Sequence, residues 1–331
     1  MSITPSFLGQ RLPGGALVGI LLLLAAAPSF GAKPYVENEP PRGLHLFNRP
    51  REKTPEKQWA FVQSLDQAGK TRAASRQALA LRLFWPHSPE APAAQLLLAR
   101  TLERRGNLQE AFDAYQHLVD HYPGRFEFNA VLDRQMDLAK SVMELRKGKF
   151  LFVPGFDAPE RAIPLFEKIV AGAPEWSGAA EAYYRIGLAH QRVFEHALAI
   201  DAFFTVLNRF PGGEFAEPAA FQQVKSHVEL SRESPQDNRA VETALAACDL
   251  FLLRFSDSSR RPEIESLRQS LRAELARIAF SRAEYYDRVL RNPESALMEY
   301  RTFIGLYPDA AQAPEARARV ERLVQQREKK Q

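Results

Sequence analysis

His117 and His121 stand four residues apart, a spacing that puts two imidazoles on one face of a helix and can hold a metal ion. A stable site needs a third donor, and none is evident by spacing, so the pair reads as a solvated helix end. His190 and His196 flank an expected inter-helix turn and read as capping or packing groups. Cys248 is the one cysteine, which excludes an intrachain disulfide and a Cys-rich zinc site. It falls in an apolar pattern, described below, that makes it a small buried residue and not a nucleophile. Gly212 and Gly213 follow Pro211 and read as a turn, not a phosphate cradle. GxSxG, GxxxxGKS/T and HExxH do not occur. The expectation is a protein with no catalytic residues, no resident metal and no cofactor, one that works by recognition.

The elements that must present such a surface begin with an address. Residues Ala16 to Ala27 read ALVGILLLLAAA, with Arg11 before them and Pro28, Ser29, Phe30 and Gly31 after. That run is short of the ~20 residues a membrane span needs. A basic start, an apolar core and small residues at Ser29 and Gly31 describe a secretory signal peptide over 1–31, so a periplasmic or secreted location is expected. Membrane association is expected through partners or through an uncleaved signal. Residues 32–55 hold Pro34, Pro40, Pro41, Pro50 and Pro55 and read as an extended linker. The 331 residues carry 44 Lys plus Arg against 40 Asp plus Glu, a net charge of +4 with both signs mixed, so no nucleic-acid partner is indicated.

From residue 56 onward the chain reads as helix after helix, and six segments share one template. Each has an alanine: Ala74, Ala111, Ala162, Ala199, Ala244 and Ala296. Four residues later stand Ala78, Tyr115, Phe166, Phe203, Cys248 and Tyr300. Three further on come Leu81, Leu118, Ile169, Val206, Phe251 and Phe303. Five beyond those lies a stop: Pro86, Pro123, Pro174, Pro211, Ser256 and Pro308. Offsets of four and seven share one helical face, the small alanine admits a neighbouring helix, and proline pushes the residue before it out of the helical region.

This template resembles the tetratricopeptide repeat, a helix–turn–helix unit. Leu98-Ala99 and Ile186-Gly187, the latter after Tyr183, match the signature of its first helix, and Gly106-Asn107 matches its turn. The resemblance implies an all-α fold of about six stacked units in a right-handed superhelix, with a C-terminal capping helix opened by Pro314. The stops lie 37, 51, 37, 45 and 52 residues apart, which places inserted loops at Gly148–Asp157 and Ser231–Asn238 and a long helix after Glu263. The apolar residues Phe150, Leu151, Phe152, Val153 and Phe156 make the first loop a possible docking element.

A narrower resemblance covers 158–331, leaving 56–157 as additional N-terminal repeats. Ser234-Pro235-Gln236, the long helix reading LRAELARIAFSRAEYYDR over 271–288, and Tyr300, Phe303, Tyr307 and Pro308 are similar to the BamD family of outer-membrane assembly lipoproteins. The Ala283-Glu284-Tyr285-Tyr286 run is its most specific part. The resemblance implies a periplasmic scaffold that supports assembly of β-barrel proteins and contacts a BamA-like barrel subunit. The family's lipidated cysteine after the signal has no counterpart here. A soluble periplasmic adaptor of Tol-Pal or division type is therefore the alternative.

Binding residues follow from the same two resemblances. Tetratricopeptide proteins bind through the inner face of their first helices, which here carries Trp59, Arg100, Arg104, Tyr184 and Arg192. Aromatic and arginine side chains dominate hot spots, and an arginine groove suits an extended peptide with acidic groups. The tyrosine motif adds Arg282, Tyr285, Tyr286 and Arg288, with the two tyrosines on different sides of their helix.

Overall fold

The computed structural model describes residues 49–147, 156–233 and 238–329. The expected signal peptide, nearly all of the linker, the tip of the first inserted loop and Ser234-Pro235-Gln236 lie outside the described residues. Thirteen α-helices follow one another among the described residues. They are α1 (Pro55–Gln67), α2 (Thr71–Phe84), α3 (Ala91–Arg104), α4 (Leu108–His121), α5 (Phe128–Glu144), α6 (Ile163–Gly172) and α7 (Ala179–Arg192). Then come α8 (His196–Arg209), α9 (Ala216–Glu233), α10 (Asn238–Arg254), α11 (Arg261–Glu284), α12 (Pro293–Leu306) and α13 (Ala313–Glu328). Each helix packs on the next in sequence, so the fold is an all-α stack of helical hairpins.

The template explains the stack. All eighteen of its alanine, +4 and +7 side chains are buried. The +7 carbonyl closes every second helix: Trp85, Tyr122, Ala173, Phe210, Phe255 and Tyr307 donate to Leu81, Leu118, Ile169, Val206, Phe251 and Phe303 at 2.8–3.0 Å. Where proline follows, the closing residue sits at φ −127° to −146° and ψ 46° to 67°, outside the helical region. Ser256 ends α10 with the same last bond and no proline.

The turns inside the hairpins obey a second rule. Gly69, Gly106, Phe194 and Arg291 all have positive φ, and each lies five residues before a template alanine. The slot needs a left-handed residue because the amide that follows it reaches back to a carbonyl of the first helix, as in Asn107 N to Leu102 O at 3.0 Å. Glycine adopts this at little cost, whereas Phe194 and Arg291 carry strain of about 1 kcal/mol.

The two remaining units lack this slot because their connections differ. In the third, Arg146–Lys147 pairs antiparallel with Phe156–Asp157 and a 3-10 turn (Pro159–Ala162) leads into α6, so the expected loop has a two-residue ladder at its base. In the fifth, α9 runs through Ser231 to Glu233, shortening the loop expected to begin at Ser231. The long helix, α11, continues as a π turn (Tyr285–Val289).

The core is a chain of clusters. One runs from α1 to α8, a second joins α7, α8 and α9, a third joins α9 to α11 and a fourth joins α11 to α13. Tyr183 and Leu188, then Leu207, then Tyr307 each pack against two successive clusters, so burial is continuous while contacts stay local. Gly187 is fixed by this packing: a Cβ there would lie 2.4 Å from the Phe203 ring.

Candidate protein-binding surfaces

The odd-numbered helices approach one another directly, α5 with α7 and α7 with α9, which makes them the inner wall of the stack. Ion pairs tie this wall together from helix to helix. Arg104 of α3 meets Asp66 of α1 at 3.4 Å, and Glu103 of α3 pairs with Arg134 of α5. Lys140 of α5 meets Glu181 of α7 at 3.5 Å, and Glu181 also holds Arg185 at 3.0 Å. Arg192 of α7 closes on Glu144 of α5 at 3.0 Å. The wall is thus a lattice of alternating charge, in place of the arginine groove expected from sequence.

Side-chain amides beneath the lattice donate within hairpins and from one hairpin to the next. The buried Gln58 amide donates to the Gln77 carbonyl (3.1 Å) and that of Gln95 to the Ala114 carbonyl (2.7 Å), while Gln191 donates to the Ser226 hydroxyl (2.8 Å). The Tyr115 hydroxyl donates to Glu103 at 2.9 Å, and burial pushes its pKa up while neighbouring Arg100 opposes that shift. Arg100 is exposed. Trp59 is half-buried against the first core cluster. Tyr184 is half-buried too, its ring 5.8 Å from Phe203 and 5.4 Å from Phe215. The two aromatics therefore serve the core with part of their surface and the wall with the rest. Exposed ion pairs contribute up to about 1 kcal/mol each, so the lattice orients Arg104 and Arg192 without locking them, and a partner's carboxylate can displace Asp66 or Glu144.

The second surface lies where α11 ends. Tyr285 is half exposed and Tyr286 packs against the last core cluster, with the two rings 6.1 Å apart and nearly perpendicular. Val289 and Leu290 are exposed beside them in sequence. Arg282 pairs with Glu299 at 2.8 Å, and Arg288 with Glu284 at 2.8 Å and Glu315 at 3.4 Å. Asp287 was not singled out by sequence, yet it holds this corner together. Its side chain is 4% exposed, accepts from Arg319 Nη2 of α13 at 2.8 Å and from the Tyr300 hydroxyl at 3.3 Å, and pairs with Arg319 Nε as well. The Arg319 guanidinium keeps the Asp287 carboxyl below its ordinary pKa, and burial beside that carboxylate pushes Tyr300 up to about 12. A signal was available: Ala276, Phe280, Ala283 and Asp287 follow the 4-3-4 rhythm of the buried face of α11, and an acid on such a face requires a partner.

His117 is placed differently from the expectation, whereas His190 and His196 pack at the turn as expected. His117 is not a solvated helix end: its Nε2 accepts from Arg82 Nη1 of α2 at 2.6 Å and its ring stacks on His121 at 4.1 Å. Burial and the Arg82 charge lower its pKa to about 4, so it is neutral near pH 7. His190 pairs with Glu195 at 2.7 Å across the α7–α8 turn, and His196 is buried. Cys248 is fully buried and its thiol is pushed up to about 11, which suppresses the thiolate. Among the described residues no three His, Cys, Asp or Glu side chains gather as metal ligands. No helix among them is long and apolar enough to cross a membrane.

The family model for the tetratricopeptide repeat matches residues 93–124, the span of α3, α4 and the turn that ends them. Over that stretch the chain is similar to the tetratricopeptide repeat, and its all-α stack of helical hairpins is the fold such repeats build. Solved structures similar to this chain include the C-terminal part of a repeat protein from Cytophaga hutchinsonii, 16% identical over 80% of this chain and 88% of that one, with a TM-score of 0.34. A tetratricopeptide repeat protein from Parabacteroides merdae is 15% identical over 82% and 98%, with a TM-score of 0.31. The Pseudomonas aeruginosa pilF protein is 15% identical over 80% and 96%, with a TM-score of 0.28. No curated protein matches the chain. Tetratricopeptide repeats bind protein or peptide partners, and the inner wall and the α11 corner are this chain's candidate surfaces for them.

Proposed function

We propose that this tetratricopeptide repeat protein is a periplasmic protein-binding scaffold of BamD type, which supports assembly of β-barrel proteins into the outer membrane. The observation that carries the reading is the Ala283-Glu284-Tyr285-Tyr286 run on a long helix, with one tyrosine presented and the other packed. Tyr285, Val289 and Leu290 offer apolar surface beside Arg282 and Arg288, the combination found at interface hot spots. The Asp287–Arg319 pair fixes that surface against α13, so a partner meets a preorganised corner and little ordering entropy is lost on binding. The apolar run at 16–27 supports export to the periplasm.

The test is an affinity pull-down from crosslinked, detergent-solubilised envelopes, with the captured proteins identified by mass spectrometry. The reading predicts recovery of a BamA-like barrel subunit, lost in Tyr285→Ala combined with Arg288→Ala. Recovery of Tol-Pal or division components would move the scaffold to another envelope complex, and recovery of neither would refute both.

A further inference from the structure

The outer side of the repeats carries a feature that the inner wall does not explain. Between α8 and α10, above α9, lies a trough of about 560 Å³. Its walls include Phe204 and Leu207 of α8 and Leu250 and Leu253 of α10, and Ala220 and His227 of α9 form the floor. Phe204 is 58% exposed, Leu250 65% and Leu253 81%. Burial lowers the His227 pKa, so the floor is uncharged near pH 7.

The repeat supplies its own control. On α10 the outward positions are Thr243, Ala246, Leu250 and Leu253, and at the same template offsets α4 has Glu110, Asp113, His117 and Asp120. Phe204 corresponds to Gln116 in α4, Asp249 in α10 and Arg301 in α12. Packing within a hairpin therefore does not require apolar residues there; α2 also has Leu79 and Leu83 at two of these offsets, while Phe204, Leu250 and Leu253 face one trough. The 3-4-3 spacing of the α10 stripe is the spacing of a helix-packing seam, and α9 repeats it with Ala220, Gln223 and His227. The eleven helical residues from Thr243 to Leu253 run about 15 Å, or three turns. Among the described lining residues there is a cation, Arg254, and no carboxylate. Arg254 is held at the end of the trough by donation to the Pro211 carbonyl at 3.0 Å.

We infer that this trough is a second docking site, for a three-turn amphipathic helix of another protein that carries aliphatic residues at 3-4 spacing and a carboxylate facing Arg254. The seam on two of the three lining helices selects a helix over an extended strand, whose side chains repeat every second residue. The unbalanced Arg254 selects an acidic end over a basic one. The site is independent of the α11 corner and of the identity of whatever binds there.

The probe is a dye-labelled, designed 14-residue helix with leucines at positions 1, 4, 8 and 11 and a terminal glutamate, titrated with the full chain by fluorescence anisotropy. Binding is expected to weaken at least tenfold in Leu250→Glu and in Leu253→Glu. Arg254→Ala is expected to abolish the preference for the glutamate peptide over its glutamine counterpart. Met298→Glu, at an exposed residue of α12, should leave binding unchanged, and circular dichroism checks that every variant is folded. Absent binding, or binding that survives Leu250→Glu and Leu253→Glu, overturns the inference. So does self-association of the chain that Leu253→Glu abolishes, which would make a second copy the occupant. Capture by anionic vesicles lost in the same variants would make it a lipid contact and overturn the inference as well.

Discussion

Removing Arg319 strands a carboxylate in the last repeat. Arg319→Met keeps the length of the side chain, removes both of its bonds to Asp287, and leaves a side chain that is 4% exposed with the Tyr300 hydroxyl alone. Breaking a fully buried pair costs about 3–5 kcal/mol. Arg319 itself is 33% exposed, so water reaches the site from its side, and the discounted loss is about 2 kcal/mol. Because contacts in the stack are local, the loss belongs to α11–α13 and not to α1–α4. Asp287 is held below its ordinary pKa, so its stabilisation is present above about pH 3.8 and is lost as pH falls through the lower folded value. Arg319→Met should remove most of that acid dependence. The assay is amide hydrogen exchange resolved by helix, together with urea unfolding of Arg319→Met, Asp287→Asn and the double variant. A coupling energy of about 2 kcal/mol and faster exchange confined to α11, α12 and α13 are expected. A coupling below about 0.5 kcal/mol, or equal loss of protection in α2 and α4, would refute the reasoning.

Three other outcomes are expected. His117 is neutral in the folded chain and its pKa falls from 6.5 to about 4, so the unfolded chain binds the extra proton between those values and stability drops as pH falls through that window. Half-buried as it is, it accounts for about 1–2 kcal/mol, and His117→Gln should flatten a comparison of urea midpoints at pH 7 and pH 4.5. Gly187→Ala drives a methyl into the Phe203 ring and should cost about 2 kcal/mol by thermal unfolding, with part of the loss recovered by adding Phe203→Leu. Phe194→Gly places glycine at φ 63° and removes an aromatic ring that is 80% exposed, so it should raise stability by about 1 kcal/mol; a lower melting temperature would contradict the shared turn rule.

The repeat was legible because its causes are local. Alanine, +4, +7 and stop lie on one strand of sequence, so Ala111, Tyr115, Leu118 and Pro123 declare a packed face and its end without knowledge of neighbours. Cys248 was placed in the core on the same ground. What depends on stacking was not legible. Glu103 meets Arg134 across 31 residues and Arg82 meets His117 across 35, and no periodicity within one helix reports which charge faces the next repeat. Of the arginines singled out for a groove, Arg104 and Arg192 were therefore found already paired. The tyrosines at 285 and 286 were legible as opposite sides of one helix, while Asp287 beside them was passed over because its partner lies on α13.

The central claim is that the α11 corner meets a barrel-assembly partner. The most direct measurement places a photoreactive phenylalanine analogue at position 285, and another at exposed position 306 of α12 for comparison, in cells that make the protein. The account predicts a crosslink from 285 to a BamA-like subunit, absent from 306. A crosslink from 285 to a division or Tol-Pal component, or equal yields from both positions, would contradict it.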